Sequence, residues 1–188
     1  MTSVPDTAGL PDADMFSRDH FALFGLPRRF EIDDRSLESR YHELQSTAHP
    51  DRHANRPEQE RRLSMQWATR INEAYRLLRT PLTRARYLLE LEGIDVGAEN
   101  NTAMPSDFLM QQMEWREALD EARDARDLDA LDELARKLRH ARREAEALLA
   151  RQLDADHDTG GAAATVRRMM FIAKLGDDIA EMHDSLEN

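Results

Sequence analysis

A helix-forming run of this sequence stops at His49-Pro50-Asp51, and a second helical pattern begins a few residues later, near Pro57. Proline has no N–H to donate and disfavours helical backbone at the residue before it, so the first helix must end at His49. Apolar residues recur at helical spacing on both sides of this break. The pattern predicts two amphipathic helices packed as an antiparallel hairpin, with the tripeptide at its tip.

The two apolar stripes define the faces that pack together. The stripes are Leu37, Tyr41, Leu44 and Ala48 in the first helix, and Leu63, Trp67, Ile71, Tyr75 and Leu78 in the second. Only seven glycines and seven prolines interrupt 188 residues, and the residues that strands prefer are scarce. The predicted fold class is therefore all-α. A short helix is expected at 18–25, and a fourth helix from Pro81 is ended by Gly93.

Helical periodicity is lost between the two halves of the chain, in the segment "IDVGAENNTAMP". The expected organisation is a disordered lead-in at 1–17, an N-terminal domain at 18–93, a linker at 94–105 and a bundle of three helices at 106–188. Within the bundle, a turn is expected near 124–127, although neither Gly nor Pro marks it. The segment "DADHDTGG" precedes the last helix, which is expected from about Ala162 to Leu186.

Composition excludes several kinds of function. The 37 acidic residues outnumber the 26 Lys and Arg, which argues against binding nucleic acid by neutralising phosphates. The absence of cysteine removes disulfides and thiolate metal sites, and it fits a reducing cytoplasm. No apolar run approaches the roughly 20 residues that span a bilayer, and the N-terminus lacks the basic region of a signal peptide. We therefore expect a cytoplasmic protein that binds neither nucleic acid nor membrane.

Two local patterns suggest other sites, and both have a simpler explanation. His49 and His53 stand at a spacing that binds metal on a helix, but Pro50 breaks the helix between them. The basic run "RKLRHARR" at 136–143 is flanked by acids at helical spacing, which favours a solvated helix face over a nucleic-acid patch. No catalytic triad order, phosphate loop or pair of inward carboxylates is present. The sequence predicts no active site, no cofactor and no metal.

The tripeptide at the hairpin tip has two interpretations. By itself it is a helix stop with an aspartate that caps a turn. In context it is preceded by a short helix and followed by "INEAYRLL", and this combination, over about Asp19 to Thr80, resembles the J domain of the DnaJ co-chaperone superfamily. The resemblance implies that His49, Pro50 and Asp51 contact an Hsp70-type chaperone and accelerate its ATP hydrolysis.

The charge of the second helix departs from that family pattern. J domains usually carry a basic second helix, whereas here Arg35, Arg40 and His42 are interleaved with Glu38 and Glu43. Another basic cluster near the loop is Arg52, Arg56, Arg61 and Arg62. We expect Arg40 and Arg52 to contact the chaperone, and an ordinary solvated surface is the alternative for the cluster.

The first helix of the second half has two apolar faces. At 100° per residue, an arc that can face the bundle core contains Phe108, Trp115, Leu119 and Ala122. A second apolar patch and its acidic border point elsewhere; they are Leu109, Met110 and Met113 with Glu114, Glu117 and Glu121. This second patch either touches another helix or is exposed for a protein partner.

The second half of the sequence makes the family resemblance more specific. "PLTRARYLLELEGID" follows the J-like region directly, and "FLMQQMEWREALDE" comes next, without a Gly/Phe-rich segment or a CxxC region. From Phe21 to the end the chain resembles the HscB family, the J-type co-chaperones of iron–sulfur cluster assembly. The resemblance implies that the scaffold protein IscU binds a surface made of Leu109, Met110, Met113, Glu114, Glu117, Glu121 and Phe171.

The function expected from the sequence is that of a co-chaperone and not of an enzyme. Its J domain would stimulate the ATPase of an HscA-like Hsp70-type chaperone, and its bundle would deliver the scaffold protein for cluster transfer. One alternative is a general J-domain co-chaperone with other clients. The other is a helical metal-dependent enzyme that uses the histidines.

Overall fold

The structure of the chain is a computed structural model that describes residues 18–97 and 106–187. Within these ranges it contains helices and turns and no strand, so the all-α prediction is confirmed. The α-helices are α1 (His20–Leu23), α2 (Asp34–Ala48), α3 (Glu58–Arg79), α4 (Pro81–Leu91), α5 (Ser106–Ala125), α6 (Leu128–Ala150) and α7 (Thr159–Glu187). No helix in the described ranges combines the length and apolar character needed to cross a membrane.

The predicted hairpin is formed by α2 and α3, which pack against each other. Asp33 caps α2 and accepts a hydrogen bond from the Arg35 backbone N–H at 3.1 Å. Hydrogen bonds from the Ser36 hydroxyl and from the Arg35 N–H hold the pKa of Asp33 below its usual value. The central stripe residues Trp67 and Ile71 are completely buried. The apolar stripes read from the sequence therefore do form the core of this unit.

Hydrogen bonds between polar side chains also join the two helices of the hairpin. The Tyr41 hydroxyl donates to Asn72 Oδ1 at 3.0 Å and accepts from Gln45 Nε2 at 2.9 Å. The Tyr41 ring also stacks on Tyr75, with ring centroids 4.0 Å apart. These contacts fix the register of α2 against α3, and with it the position of the tip between them.

The end of α4 agrees with the prediction, whereas the division of the chain differs from it. Gly93 has a positive φ of 76°, which glycine adopts without strain. The Ile94 N–H then donates to the Leu89 carbonyl at 2.9 Å and closes the helix end.

The chain divides into two compact units after Arg84, whereas the sequence placed the boundary at 93. Of the predicted linker, 98–105 lies outside the described residues, as does the predicted lead-in at 1–17.

The second unit is the expected three-helix arrangement of α5, α6 and α7. The predicted turn at 124–127 is confirmed: Arg126 takes a left-handed φ of 52°, and Asp127 caps α6 by accepting from the Ala130 N–H at 3.0 Å. Leu131, Leu134 and Leu138 bury against α5 and α7 in one apolar core. This core fixes which faces of α5 and α7 remain at the surface.

Two helix boundaries differ from the sequence prediction. The first helix is only His20–Leu23, because Asp19 caps it and Gly25, with φ of 63°, ends it. The last helix begins at Thr159 and not at Ala162, because Asp158 accepts from the Gly161 N–H at 2.9 Å and starts the helix earlier. In both cases a capping aspartate sets the boundary, a local contact that apolar periodicity does not reveal.

Candidate functional site

The tip of the α2–α3 hairpin is a turn held by hydrogen bonds. Proline ends α2 and then opens the short 3-10 turn Pro50–His53. The His49 ring caps this turn, because its Nδ1 accepts the Asp51 backbone N–H at 3.3 Å. A neutral imidazole that accepts at Nδ1 carries its proton on Nε2. The tip histidine can therefore donate to a partner through Nε2 while it holds its own loop together.

Two further side chains fasten the turn to α2. His53 is buried, and its Nε2 lies 3.1 Å from the Thr47 carbonyl oxygen. The Arg52 guanidinium donates to the Ser46 carbonyl at 3.1 Å. Arg52, which the sequence assigned to partner contact, is thus already engaged within the loop. The sequence pattern suggested His53 only as a metal ligand and gave no signal of this structural role.

The Asp51 carboxylate projects from this turn into solvent. The Asp51 side chain is 91% exposed and the His49 side chain is 52% exposed. An aspartate side chain this exposed makes no contribution to a core. It can accept a bidentate pair of hydrogen bonds from a guanidinium of another protein.

The arginines around the tip are exposed and partly paired. Arg40 forms an ion pair with Glu43 at 3.0 Å, one turn along α2. Arg62 pairs with Glu58 on α3. Exposed pairs of this kind contribute little to stability, so these side chains can exchange partners at low cost. The interleaved charges predicted for α2 are therefore present as pairs rather than as a uniformly basic face.

The described residues contain no group of three His, Asp or Glu side chains arranged to hold a metal ion. The two histidines of the tip also differ in setting, since His49 is half exposed whereas His53 is buried against the Thr47 carbonyl. The pair does not present two ring nitrogens on one accessible face. The alternative of a metal-dependent enzyme has no donor set in this part of the chain.

We expect the purified protein to carry no stoichiometric zinc or iron. His53 uses its Nε2 at the Thr47 carbonyl and its Nδ1 is buried, so neither ring nitrogen is open to a metal ion from solution. Elemental analysis of the protein, purified without chelator, measures this directly. One metal ion per chain that is lost on His53→Ala would contradict the expectation.

The second candidate site lies on α5, on the side of the helix that its angular spacing places away from the bundle core. Leu109, Met110 and Met113 are 46, 65 and 71% exposed, whereas Phe108 and Trp115 are buried. The prediction that this helix carries an exposed apolar patch is confirmed. We call the exposed set Leu109, Met110 and Met113 the α5 patch.

Acidic side chains border the α5 patch. Glu114, Glu117 and Glu121 are all exposed, and no ion pair engages them in the described part of the chain. Methionine side chains are flexible and polarizable, which suits them to contact with another protein. An exposed apolar surface beside three carboxylates fits a partner that offers apolar and basic groups.

Phe171, predicted to be exposed with this patch, is instead half-buried. Its ring lies nearly parallel to Trp115 with centroids 6.4 Å apart, and edge-on to Phe108 at 5.9 Å. The Arg116 guanidinium covers it at 5.3 Å from the ring centroid. The ring is therefore part of the α5–α7 packing, and only part of it is accessible to a partner.

Three side chains near this site were not found from the sequence. Met170 on α7 is 37% exposed and neighbours Phe171 in the chain. Arg168 donates to Gln111 Oε1 at 3.2 Å and lies over the Phe108 ring, so it ties α7 to α5. Arg116 covers Phe171. Helical periodicity gives no signal for such contacts, because they depend on how two helices meet.

Comparison with known proteins gives consistent matches over both units. Residues 104–180 match the family described as the HSCB C-terminal oligomerisation domain. A relative named "Co-chaperone protein HscB homolog", from Azoarcus sp. (strain BH72), is 54% identical over 91% of this chain and 97% of its own length.

Two solved structures are also similar to the chain. The chaperone HscB from Vibrio cholerae is 38% identical with a TM-score of 0.78, covering 90% of this chain and 99% of that one. The human co-chaperone protein HscB is 30% identical with a TM-score of 0.82, covering 91 and 83% of the two chains. The similarity therefore extends over both units and not over the hairpin alone.

Proposed function

The chain belongs to the HscB family of co-chaperones, and we propose that its two units hold two different proteins. It is a J-domain co-chaperone that acts with an Hsp70-type chaperone in iron–sulfur cluster assembly. The tip of the α2–α3 hairpin binds an HscA-like chaperone. The α5 patch binds an IscU-like scaffold protein and presents it to that chaperone.

One observation supports the assignment of the tip to chaperone binding: the Asp51 carboxylate projects into solvent from a turn that is hydrogen-bonded to α2. His53 and Arg52 hold the turn to α2, so binding does not have to order it. The carboxylate accepts hydrogen bonds from an arginine of the chaperone, and His49 donates through Nε2. The co-chaperone catalyses no reaction of its own. It accelerates ATP hydrolysis by binding one conformation of the chaperone more tightly than the other.

The scaffold assignment is supported by the exposure of the α5 patch. A monomeric protein rarely leaves large apolar side chains grouped at its surface unless something covers them. Met110 and Met113 are more exposed than Leu109, the third member of the patch, and are its central contacts. Glu114, Glu117 and Glu121 select for a partner with basic groups beside its apolar surface.

Joining the two sites in one chain explains how delivery works. A scaffold bound to the second unit is held near a chaperone bound to the first, which raises its effective concentration there. We assign the chaperone contact to residues 18–93 and the scaffold contact to residues 106–188. The cytoplasmic location expected from the sequence remains a prediction.

A titration with scaffold protein separates this proposal from a general J-domain co-chaperone with other clients. We expect calorimetric binding of an IscU-like scaffold to this protein in the absence of chaperone. Arg143→Ala, on the exposed side of α6, serves as a control that leaves binding unchanged. Failure to bind the scaffold, with ATPase stimulation retained, would favour the general co-chaperone.

Phe171→Ala is expected to lower both stability and scaffold affinity, unlike changes in the exposed patch. Its ring packs on Trp115 and Phe108, so truncation removes packing as well as a contact surface. A fully buried Phe costs about 3–5 kcal/mol when cut to Ala, and this half-buried ring should cost about 2 kcal/mol. Thermal melts and calorimetric titration measure the two effects. The control variant Phe171→Leu keeps most of the apolar volume, so it should retain most of the stability that Phe171→Ala loses. An unchanged melting temperature for Phe171→Ala would contradict the packing role of the ring.

A further inference from the structure

Arg116 borders the α5 patch on the side opposite its glutamates. The Arg116 side chain is exposed on α5. At 100° per residue, the α5 patch lies about 20 to 120° round the helix from Arg116, and Glu117, Glu121 and Glu114 lie about 100 to 160° round. The core face of the helix lies on the other side of Arg116. The apolar patch therefore has a cation along one border and three carboxylates along the other.

The Phe171 ring holds the Arg116 guanidinium at this border. The guanidinium carbon lies over the ring, 5.3 Å from its centroid, at a distance that makes a cation–π contact favourable. The ring is itself held by Trp115, which stacks on it, and by Phe108, which meets it edge-on. A guanidinium held over a ring keeps its N–H donors for an acceptor, and less of its freedom remains to be lost on binding.

The acidic side chains closest to Arg116 along the two helices have other partners. Asp120, one turn further along α5, pairs with Arg123 at 3.0 Å. On α7, Asp178 pairs with Lys174 at 2.7 Å. Within 18–97 and 106–187, no hydrogen bond or ion pair engages the Arg116 guanidinium. Its donors are thus available to an acceptor from another molecule.

We propose that Arg116 binds a carboxylate of the scaffold protein and thereby fixes which way round the scaffold lies across the α5 patch. A planar guanidinium matches a carboxylate with two parallel hydrogen bonds. A scaffold turned end for end would set its acidic group against the glutamates and its basic group against Arg116, and both pairings are repulsive. Phe171 is then a positioning residue for Arg116 as well as part of the packing. This inference rests on the proposed binding of the scaffold to α5.

Calorimetric titration of Arg116→Gln with an IscU-like scaffold tests the contact. We expect affinity about tenfold weaker than that of the wild type, as the loss of a charge-assisted hydrogen bond requires. The difference should shrink at high salt, because exposed charges are screened. Arg116→Lys keeps the charge without the planar pair of donors, so its affinity should be intermediate. Arg143→Gln, an exposed arginine on α6, is the matched control and should bind normally.

Two further variants separate the charge of Arg116 from its cover over the ring. Arg116→Met covers Phe171 without a charge and should bind as weakly as Arg116→Gln. Arg116→Glu should bind more weakly still, and replacing one acidic residue of the scaffold by Arg should restore its affinity.

The outcomes also separate this inference from the proposed function. Wild-type or tighter binding by Arg116→Gln or Arg116→Met would overturn the inference, because the guanidinium would then only cover the ring. Failure of every acidic-to-Arg change in the scaffold to rescue Arg116→Glu would overturn it too. If Met110→Ala/Met113→Ala still lost affinity in those cases, the proposed function would stand. Absence of scaffold binding by the wild type would overturn both.

Discussion

Asp51→Asn is expected to abolish stimulation of the Hsp70-type chaperone's ATPase and to leave the helical fold unchanged. The Asp51 side chain is 91% exposed, and no core packing depends on it. Asparagine keeps the size of the side chain but loses the charge and one acceptor oxygen of a bidentate pair. Truncating one partner of a charged hydrogen-bonded pair at an interface costs about 2–5 kcal/mol, which corresponds to a loss of more than tenfold in affinity.

The measurement pairs steady-state ATPase rates with circular dichroism on the same samples. Glu38→Gln, an exposed carboxylate on α2, is the matched control and should stimulate almost normally. The variant His53→Ala should lose part of the stimulation, because it releases the tip from the Thr47 carbonyl without touching Asp51. If a well-folded Asp51→Asn protein stimulated the ATPase as strongly as the wild type, the hairpin tip would not be the chaperone-binding site.

The double variant Met110→Ala/Met113→Ala should bind the scaffold more than about tenfold more weakly while melting near the wild-type temperature. Truncation at a binding hot spot costs at least about 2 kcal/mol. Both side chains are largely exposed, at 65 and 71%, so the folded state loses little packing. Basal stimulation of the chaperone by the tip should persist, since the α2–α3 hairpin is unaltered.

Two controls make this result specific. Leu131→Ala removes a completely buried side chain of the same unit and should cost about 2–5 kcal/mol in stability. Met65→Ala removes an equally flexible exposed methionine outside the α5 patch and should leave scaffold affinity unchanged. A double variant that melts far below wild type and binds normally once folded would show that the patch is packing surface, and that the client site lies elsewhere.

The parts of the fold that could be predicted are those decided by the chain's own local chemistry. Pro50 ends α2 because it lacks an N–H, and Gly93 ends α4 because it accepts a positive φ of 76°. Exposure of Met110 and Met113 followed from the angle between successive helical residues, once Phe108 and Trp115 were placed in the core.

The parts that could not be predicted depend on contacts between separate elements. The burial of His53 reflects how the loop folds back onto the end of α2. The half-burial of Phe171 reflects the aromatic cluster formed where α7 meets α5. The division after Arg84 falls inside the continuous helix α4, where apolar periodicity shows no change. No spacing within one helix contains such information, and the family resemblance alone pointed to Phe171.

The central claim is that one chain couples a chaperone-binding tip to a scaffold-binding patch. Its most direct test is the ATPase rate of the HscA-like chaperone with this protein, measured with and without the IscU-like scaffold. We expect stimulation by the protein alone, a further increase when scaffold is added, and loss of only that increase in Met110→Ala/Met113→Ala. A rate that this protein leaves unchanged, with or without scaffold, would contradict the account.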